Sequence, residues 1–361
     1  MVTDDEYERM LRDFVCCESP SSDRHGLEAM AAVIEAEAAS LGIAVTRCSE
    51  EGAPPELLLG PPEASVLLLG HLDTVHPLGS LERQPWRRDG DRCSGPGVLD
   101  MKAGLVIGLQ VLAATAGVAM LITADEEVGS PTGRHSVERL ARGRTAVLVL
   151  EPAAGGDLKV ARKGVARLQV SCAGRDAHAG LEPERGANAL VALARVIAFV
   201  EGLADQERST TATPTLARAG TTSNTVPDTA TLTVDLRAWT TAEIERLVSA
   251  VASFDPGVDG VTLSVSTSGT RPAFEASASA SLAALALELA PSCGIEQLST
   301  RAVGGGSDGN FTAAMGIATL DGLGGVGANP HGAEEWVSLS SLPRRAALIS
   351  QLIAALDQAV R

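Results

Sequence analysis

Three short runs, Ser65–Gly70 (SVLLLG), Val118–Thr123 (VAMLIT) and Ala146–Leu150 (AVLVL), limit most strongly what this chain can fold into. Each is too short for an ordinary helix and contains no charged residue. Each therefore reads as a strand buried on both faces. Helical segments lie between them, and strands alternating with helices in this way build an α/β layer structure with a mainly parallel sheet.

The flanking patterns extend this reading. Thr3 with Glu6 has the spacing of a capping box and opens a first helix that runs to about Cys16. A second helix covers about His25–Ser40, and Gly42 sits where a helix C-terminal glycine belongs. From Gly164 the apolar period changes. Val165–Ser171, Thr213–Ala219, Thr229–Arg237 and Val261–Ser268 read as strands, with helices near Ala187–Val200 and Ala242–Ala252. This β-α-β-β-α-β order predicts a small inserted sheet with helices over one face. The division is then 1–163, an insert at 164–271, and a return to the first domain at 272–361. Helices near Ser279–Ala290 and Leu342–Val360 flank a glycine-rich stretch, Gly304–Gly327.

Composition excludes several functions. Hydrophobic residues make up 45% and aromatic residues 2%, so Leu, Val and Ala must fill the core. A formal net charge of −16 repels phosphate backbones and anionic membranes, so neither nucleic acid nor membrane is an expected partner. The acidic start, Met1–Glu6, has no apolar stretch behind it, which argues against a signal peptide. Six scattered cysteines form no C-x-x-C pair and read as free thiols in a cytoplasmic protein.

Residue types able to bind metal gather where the apolar strands end. His71 and Asp73 follow the first, Asp125-Glu126-Glu127 the second and Glu151 the third. Asp100 opens a helical stretch, and His331 stands in a late Asn-Pro-His-Gly turn. Taken singly, each has an ordinary reading: a turn histidine, a helix N-cap, a solvated acidic loop, an exposed loop carboxylate. Together they lie where open α/β sheets collect ligands, at the carboxyl ends of strands. Histidine and carboxylate donors without thiolate suit a catalytic zinc site with an open position. Two metals need a bridging carboxylate, and two His with three carboxylates supply three ligands to each. One carboxylate is left over as a base.

GHLDTV, GPGVLDMKAG, DEEVGS, LEP and NPHGAEEW occur in this order along the chain. The ordered set resembles the aminoacylase, acetylornithine deacetylase and glutamate carboxypeptidase family of two-zinc metallopeptidases over nearly the whole length. GRDAHAG with PERGANAL, and GGGSDGNFTAAMGIATLDGLG, read much like the folate-cleaving glutamate carboxypeptidases. The resemblance implies an aminopeptidase-like catalytic domain with an inserted ferredoxin-like domain that serves as dimerisation or lid domain.

It also implies roles. His71, Asp100 and Glu151 hold one zinc; Asp100, Glu127 and His331 hold the other. Asp73 stands behind His71, Glu126 is the general base, and a cis peptide follows Asp100. His178 reaches the partner's active site in a homodimer to stabilise an oxyanion, and Asn224 contacts substrate. Arg237 and Arg271 match arginines that bind substrate carboxylates. A guanidinium suits this because its planar fork grips a carboxylate with two hydrogen bonds. Cobalt or manganese can take the same ligands as zinc. The expected substrate is a small N-acyl amino acid or peptide, cut to release a C-terminal residue such as glutamate. An N-acyl-amino-acid deacylase of the acetylornithine deacetylase or succinyl-diaminopimelate desuccinylase type is the nearest alternative, and a non-catalytic metal-binding relative the more distant one. His76 is given no role.

Overall fold

A computed structural model describes residues 4–360; Thr3, half of the expected capping box, lies outside them. Two compact units divide the chain. The first comprises residues 1–161, 275–303 and 307–361, and the second residues 162–274 and 304–306.

The first unit is built on a six-stranded sheet. Its strands run, in spatial order, Val45–Arg47, Leu57–Leu59, Val118–Thr123, Val66–His71, Ala146–Val149 and Ala318–Leu320. The last four are mutually parallel, and the first two pair antiparallel at one edge. The three apolar runs supply the central strands, and every residue in those strands is buried. Alternation still sorts their side chains. Val66 and Leu68 face a cluster with Phe14, Ile34 and Leu352, whereas Leu67 and Leu69 face Val137 and Phe311. Each such leucine withdraws about 1.5–3 kcal/mol of apolar surface from water. The register pairs Leu69 with Leu121 and with Val149, so the three strands end at one level.

The helices at Asp4–Val15 and Arg24–Ser40 follow the sequence reading within a residue or two. Gly42 has φ +71°, as a helix-terminating glycine requires. No helix among the described residues is long and apolar enough to cross a membrane.

The second unit has the predicted β-α-β-β-α-β order. Its four long strands, Thr211–Ala219, Thr229–Ala238, Gly164–Ala173 and Thr262–Arg271, lie side by side in that order and are all antiparallel. One face packs Leu168, Val170, Leu232 and Val234 under the helices Ala189–Glu201 and Thr241–Ala252, which contribute Leu193, Val196 and Leu247. The other face presents alternate residues such as Arg167 and Thr231 to solvent.

Candidate metal centre

Strand ends bring the first candidates together. His71 closes its strand, and its Nδ1 lies 3.0 Å from the Asp73 carbonyl and 3.2 Å from Asp73 Oδ1. Asp73 is fully buried. Besides His71, it accepts from Ser21 Oγ (2.7 Å) and from the backbone N–H groups of Glu126 and Glu127, each 3.2 Å away. One carboxylate thus orients an imidazole and anchors the turn Glu126–Val128 that follows the second apolar strand. Glu126 is buried within that turn. Glu151 lies two residues past the third strand, and its Oε2 is 3.5 Å from Lys159 Nζ.

Asp100 does not start a regular helix, as an N-cap would. It lies in an irregular turn, Val98–Lys102, with φ −113°, and the Asp100–Met101 peptide is cis. The regular helix begins after the turn, at Ala103. His331 sits in a turn with φ +64°, beside Asn329 at +59°. Local bonds from Gly332 N to the Asn329 carbonyl (3.1 Å) and from Asn329 Nδ2 to the Glu334 carbonyl (3.3 Å) hold this left-handed bend.

Two triads result. The ligand atoms of His71, Asp100 and Glu151 lie within 4.8 Å of one another, as do those of Asp100, Glu127 and His331. His71 Nε2 is 3.5 Å from both Asp100 Oδ1 and Glu151 Oε1. His331 Nε2 is 3.1 Å from Asp100 Oδ2 and 3.3 Å from Glu127 Oε1. Asp100 therefore turns one oxygen to each histidine. His71 Nε2, Asp100 Oδ1 and Glu127 Oε1 are buried with no hydrogen-bond partner among the described residues. Buried polar atoms are normally satisfied, so a converging set left open fits a group these atoms would bind. Two His and three carboxylates, one shared, match a pair of divalent cations.

The electrostatics agree. Burial works against charge on His71, yet the carboxylates of Asp100, Asp73 and Glu151 raise its pKa well above the ordinary value. Asp100, then Glu127, push His331 up to about 10. Burial opposes ionisation of Asp100 as well, but His331 and His71 hold its pKa below the usual range. Burial raises Glu127. The cluster as a whole attracts positive charge, whether protons or metal.

The remaining candidates belong to the second unit. His178 lies on a two-residue strand paired with Thr225-Val226. Its Nδ1 accepts from Gly180 N and Leu181 N, both at 3.1 Å, so in the neutral ring the proton sits on Nε2. The Asn224 carbonyl accepts from Ala179 N at 2.8 Å, which brings Asn224 beside His178. Arg237 donates from Nε to Asp235 Oδ1 (2.8 Å) and from Nη1 to the Gly304 carbonyl (3.3 Å). Arg271 is buried, with its side chain against Gly306.

Sequence reasoning missed Lys159 beside Glu151, Ser21 behind Asp73, and the buried carboxylate of Glu335. Ser21 and Lys159 stand outside every recognisable motif. Glu335 lies within NPHGAEEW, but nothing in that string separates it from its exposed neighbour Glu334.

The chain is similar to known proteins. The profile of peptidase family M20/M25/M40 matches residues 67–355. Carboxypeptidase G2 of Pseudomonas sp. (strain RS-16) is 29% identical over 368 residues, spanning 96% of this chain and 88% of the relative. A LysW-lysine/LysW-ornithine hydrolase of Aeropyrum pernix is 34% identical over 217 residues, 57% of this chain and 56% of the relative. The crystal structure of aminopeptidase PepT from Bacillus cereus shares the fold, with a TM-score of 0.79 at 21% identity over 99% of both chains.

Proposed function

Because this chain belongs to peptidase family M20/M25/M40 and is a hydrolytic enzyme, we propose that it uses two divalent cations to cut an amide bond. Zinc is the preferred ion and cobalt or manganese the substitutes. The bond cut releases a C-terminal amino acid, glutamate foremost, from an N-acyl or peptidyl substrate. The observation that carries this reading is the placement of Asp100 between His71 and His331, one oxygen toward each.

His71, Asp100 and Glu151 would hold one cation, and Asp100, Glu127 and His331 the other. When bound, the cations supply Lewis acidity that makes water nucleophilic near neutral pH and offset charge on the scissile carbonyl. Side chains perform the other tasks. Glu126, fixed through its own N–H by Asp73, takes a proton from the attacking water and returns it to the leaving amine. Asp73 keeps the His71 proton on Nδ1, leaving Nε2 free as a ligand. His178 offers its Nε2–H to the developing oxyanion, where one donor is worth about 3–4 kcal/mol. Asn224 contacts the substrate, and Arg237 and Arg271 bind its carboxylates.

We assign the second unit, the insert at about 164–271, the role of dimerisation or lid domain, with His178 serving the site of a second copy. Leu190 and Val191 on its helix and Leu216 on its edge strand are 46%, 43% and 67% exposed, apolar side chains available to a partner. The six cysteines are free thiols, which supports a cytoplasmic location.

The full-length likeness to carboxypeptidase G2 favours release of a C-terminal residue. The partial likeness to the LysW-lysine/LysW-ornithine hydrolase favours a second reading, removal of an acyl group from a basic amino acid. Purified, zinc-loaded protein assayed on a glutamyl-terminated substrate beside N-acetylornithine separates the two. Preference for N-acetylornithine refutes the first, and no hydrolysis of any N-acyl amino acid refutes both.

A further inference from the structure

His76 and Glu335 form a buried pair that none of the roles above uses. His76 Nε2 lies 2.7 Å from Glu335 Oε2, and the two residues are 8% and 1% exposed. Glu335 accepts three more bonds, all from the backbone of the segment that carries Asp100. Gly97 N donates to Oε2 at 3.0 Å, Leu99 N to Oε1 at 2.8 Å and Asp100 N to Oε1 at 2.9 Å. Four donors thus converge on two oxygens, two on each.

Each group in this knot sits close in sequence to a candidate metal ligand. His76 follows His71 by five residues, Glu335 follows His331 by four, and one of the backbone donors is Asp100 itself. The segment is shaped to deliver those N–H groups. Gly97 adopts φ +68°, and a Cβ there would come within 2.6 Å of Thr74 Cγ2, so only glycine lets the turn approach so closely.

We propose that Glu335 is a positioning residue for the metal pair: with His76, it sets where Asp100 stands between His71 and His331. The inference rests on the two-cation reading and adds a support to the bridge from a residue that is not itself one of the candidate ligands. The chemistry requires a carboxylate. Glutamine has one acceptor oxygen and would aim its NH2 at N–H or imidazole donors, leaving buried donors unsatisfied. The bridge belongs to both triads, so its displacement should weaken both sites together. Removing an ordinary packing residue would lower stability without selecting the metals.

The test compares wild type, Glu335→Gln, His76→Leu and His76→Gln. Each is stripped of metal, checked for cooperative thermal unfolding, and titrated with Zn2+ against a chromogenic chelator and with Co2+ by visible absorption. Wild type should take up two ions. Glu335→Gln should lose about 10- to 100-fold in affinity at both sites and change the cobalt spectrum. His76→Leu should lose affinity in the same direction, and His76→Gln, which keeps a donor toward Oε2, should recover most of it. A folded Glu335→Gln or His76→Leu protein with wild-type affinity for both ions and an unchanged spectrum overturns the proposal. If Glu335→Gln does not fold, the two His76 variants decide. Wild-type protein that takes up fewer than two ions refutes the two-cation reading itself, an outcome distinct from the first.

Discussion

Asp73 Oδ1 lies 3.2 Å from Nδ1 of His71, with both side chains almost wholly buried. The same carboxylate receives the N–H groups of Glu126 and Glu127, so the candidate base and a ligand depend on it as well. Asp73→Asn keeps the volume but removes the charge behind the imidazole. Cation affinity should fall about 10- to 100-fold, read by chelator competition. Wild-type affinity in this variant would contradict the linkage.

His331 carries a pH prediction. Its pKa in the folded protein is raised to about 10 by Asp100 and then Glu127. A raised imidazole pKa stabilises metal-stripped protein fully below about pH 6.5, the unfolded value, and that contribution is lost as pH climbs through about 10. Metal binding needs the neutral ring, so uptake near pH 7.5 must expel a proton. Apparent Zn2+ affinity should therefore rise with pH up to about 10. Calorimetric titration in buffers of different ionisation enthalpy should show proton release, and less of it in His331→Ala. Affinity independent of pH between about 6.5 and 9.5 would exclude this.

Glu126→Gln isolates proton transfer from metal binding. Turnover should drop by about 10²- to 10⁴-fold or more, while the number of ions bound and the melting temperature stay near wild type. Comparable turnover would remove Glu126 as base.

Arg237 separates recognition from chemistry. Its Nε is already engaged by Asp235, which fixes the fork in place. Arg237→Ala should cost roughly 10- to 100-fold in kcat/KM on a substrate with a free carboxylate, the scale of about 1.5–3 kcal/mol for a charge-assisted bond. The matching amide should lose little. Lysine should rescue poorly, because it lacks the bidentate fork. Equal losses on both substrates would mark Arg237 as structural.

Gly104 offers a stability test at a close helix–backbone contact beside Glu151. A Cβ at this position would come within 2.2 Å of the Leu150 carbonyl, a backbone atom with little room to move. Gly104→Ala should destabilise by about 1–3 kcal/mol, measured by urea unfolding. The displaced carbonyl adjoins Glu151, so metal affinity should fall too. Unchanged stability would show that helix and strand can separate at no cost.

Local pattern decided much of this molecule. Leu67, Leu68 and Leu69 could only belong to a strand covered on both faces, because apolar surface on both sides has to leave water. The alternation in Val165–Ser171 demanded a sheet with one open face, and the ordered motifs marked out the candidate ligands. The irregular turn at Asp100 was less legible. Its neighbours favour a helix, whereas Asp100 has a non-helical φ of −113°, and the N–H groups of Leu99 and Asp100 donate to Glu335, far along the chain.

Periodicity and side-chain chemistry are local properties, so the residues able to carry charge or metal, and the strand ends that hold several of them, were readable along the chain. Packing in three dimensions set that Asp100 turns one oxygen to each histidine, that Lys159 faces Glu151, and that Glu335 rather than Glu334 is buried against the turn carrying Asp100. Those relationships join positions up to 238 residues apart. Distances of that kind are set by how whole strands and turns pack, and no short stretch of residues encodes them.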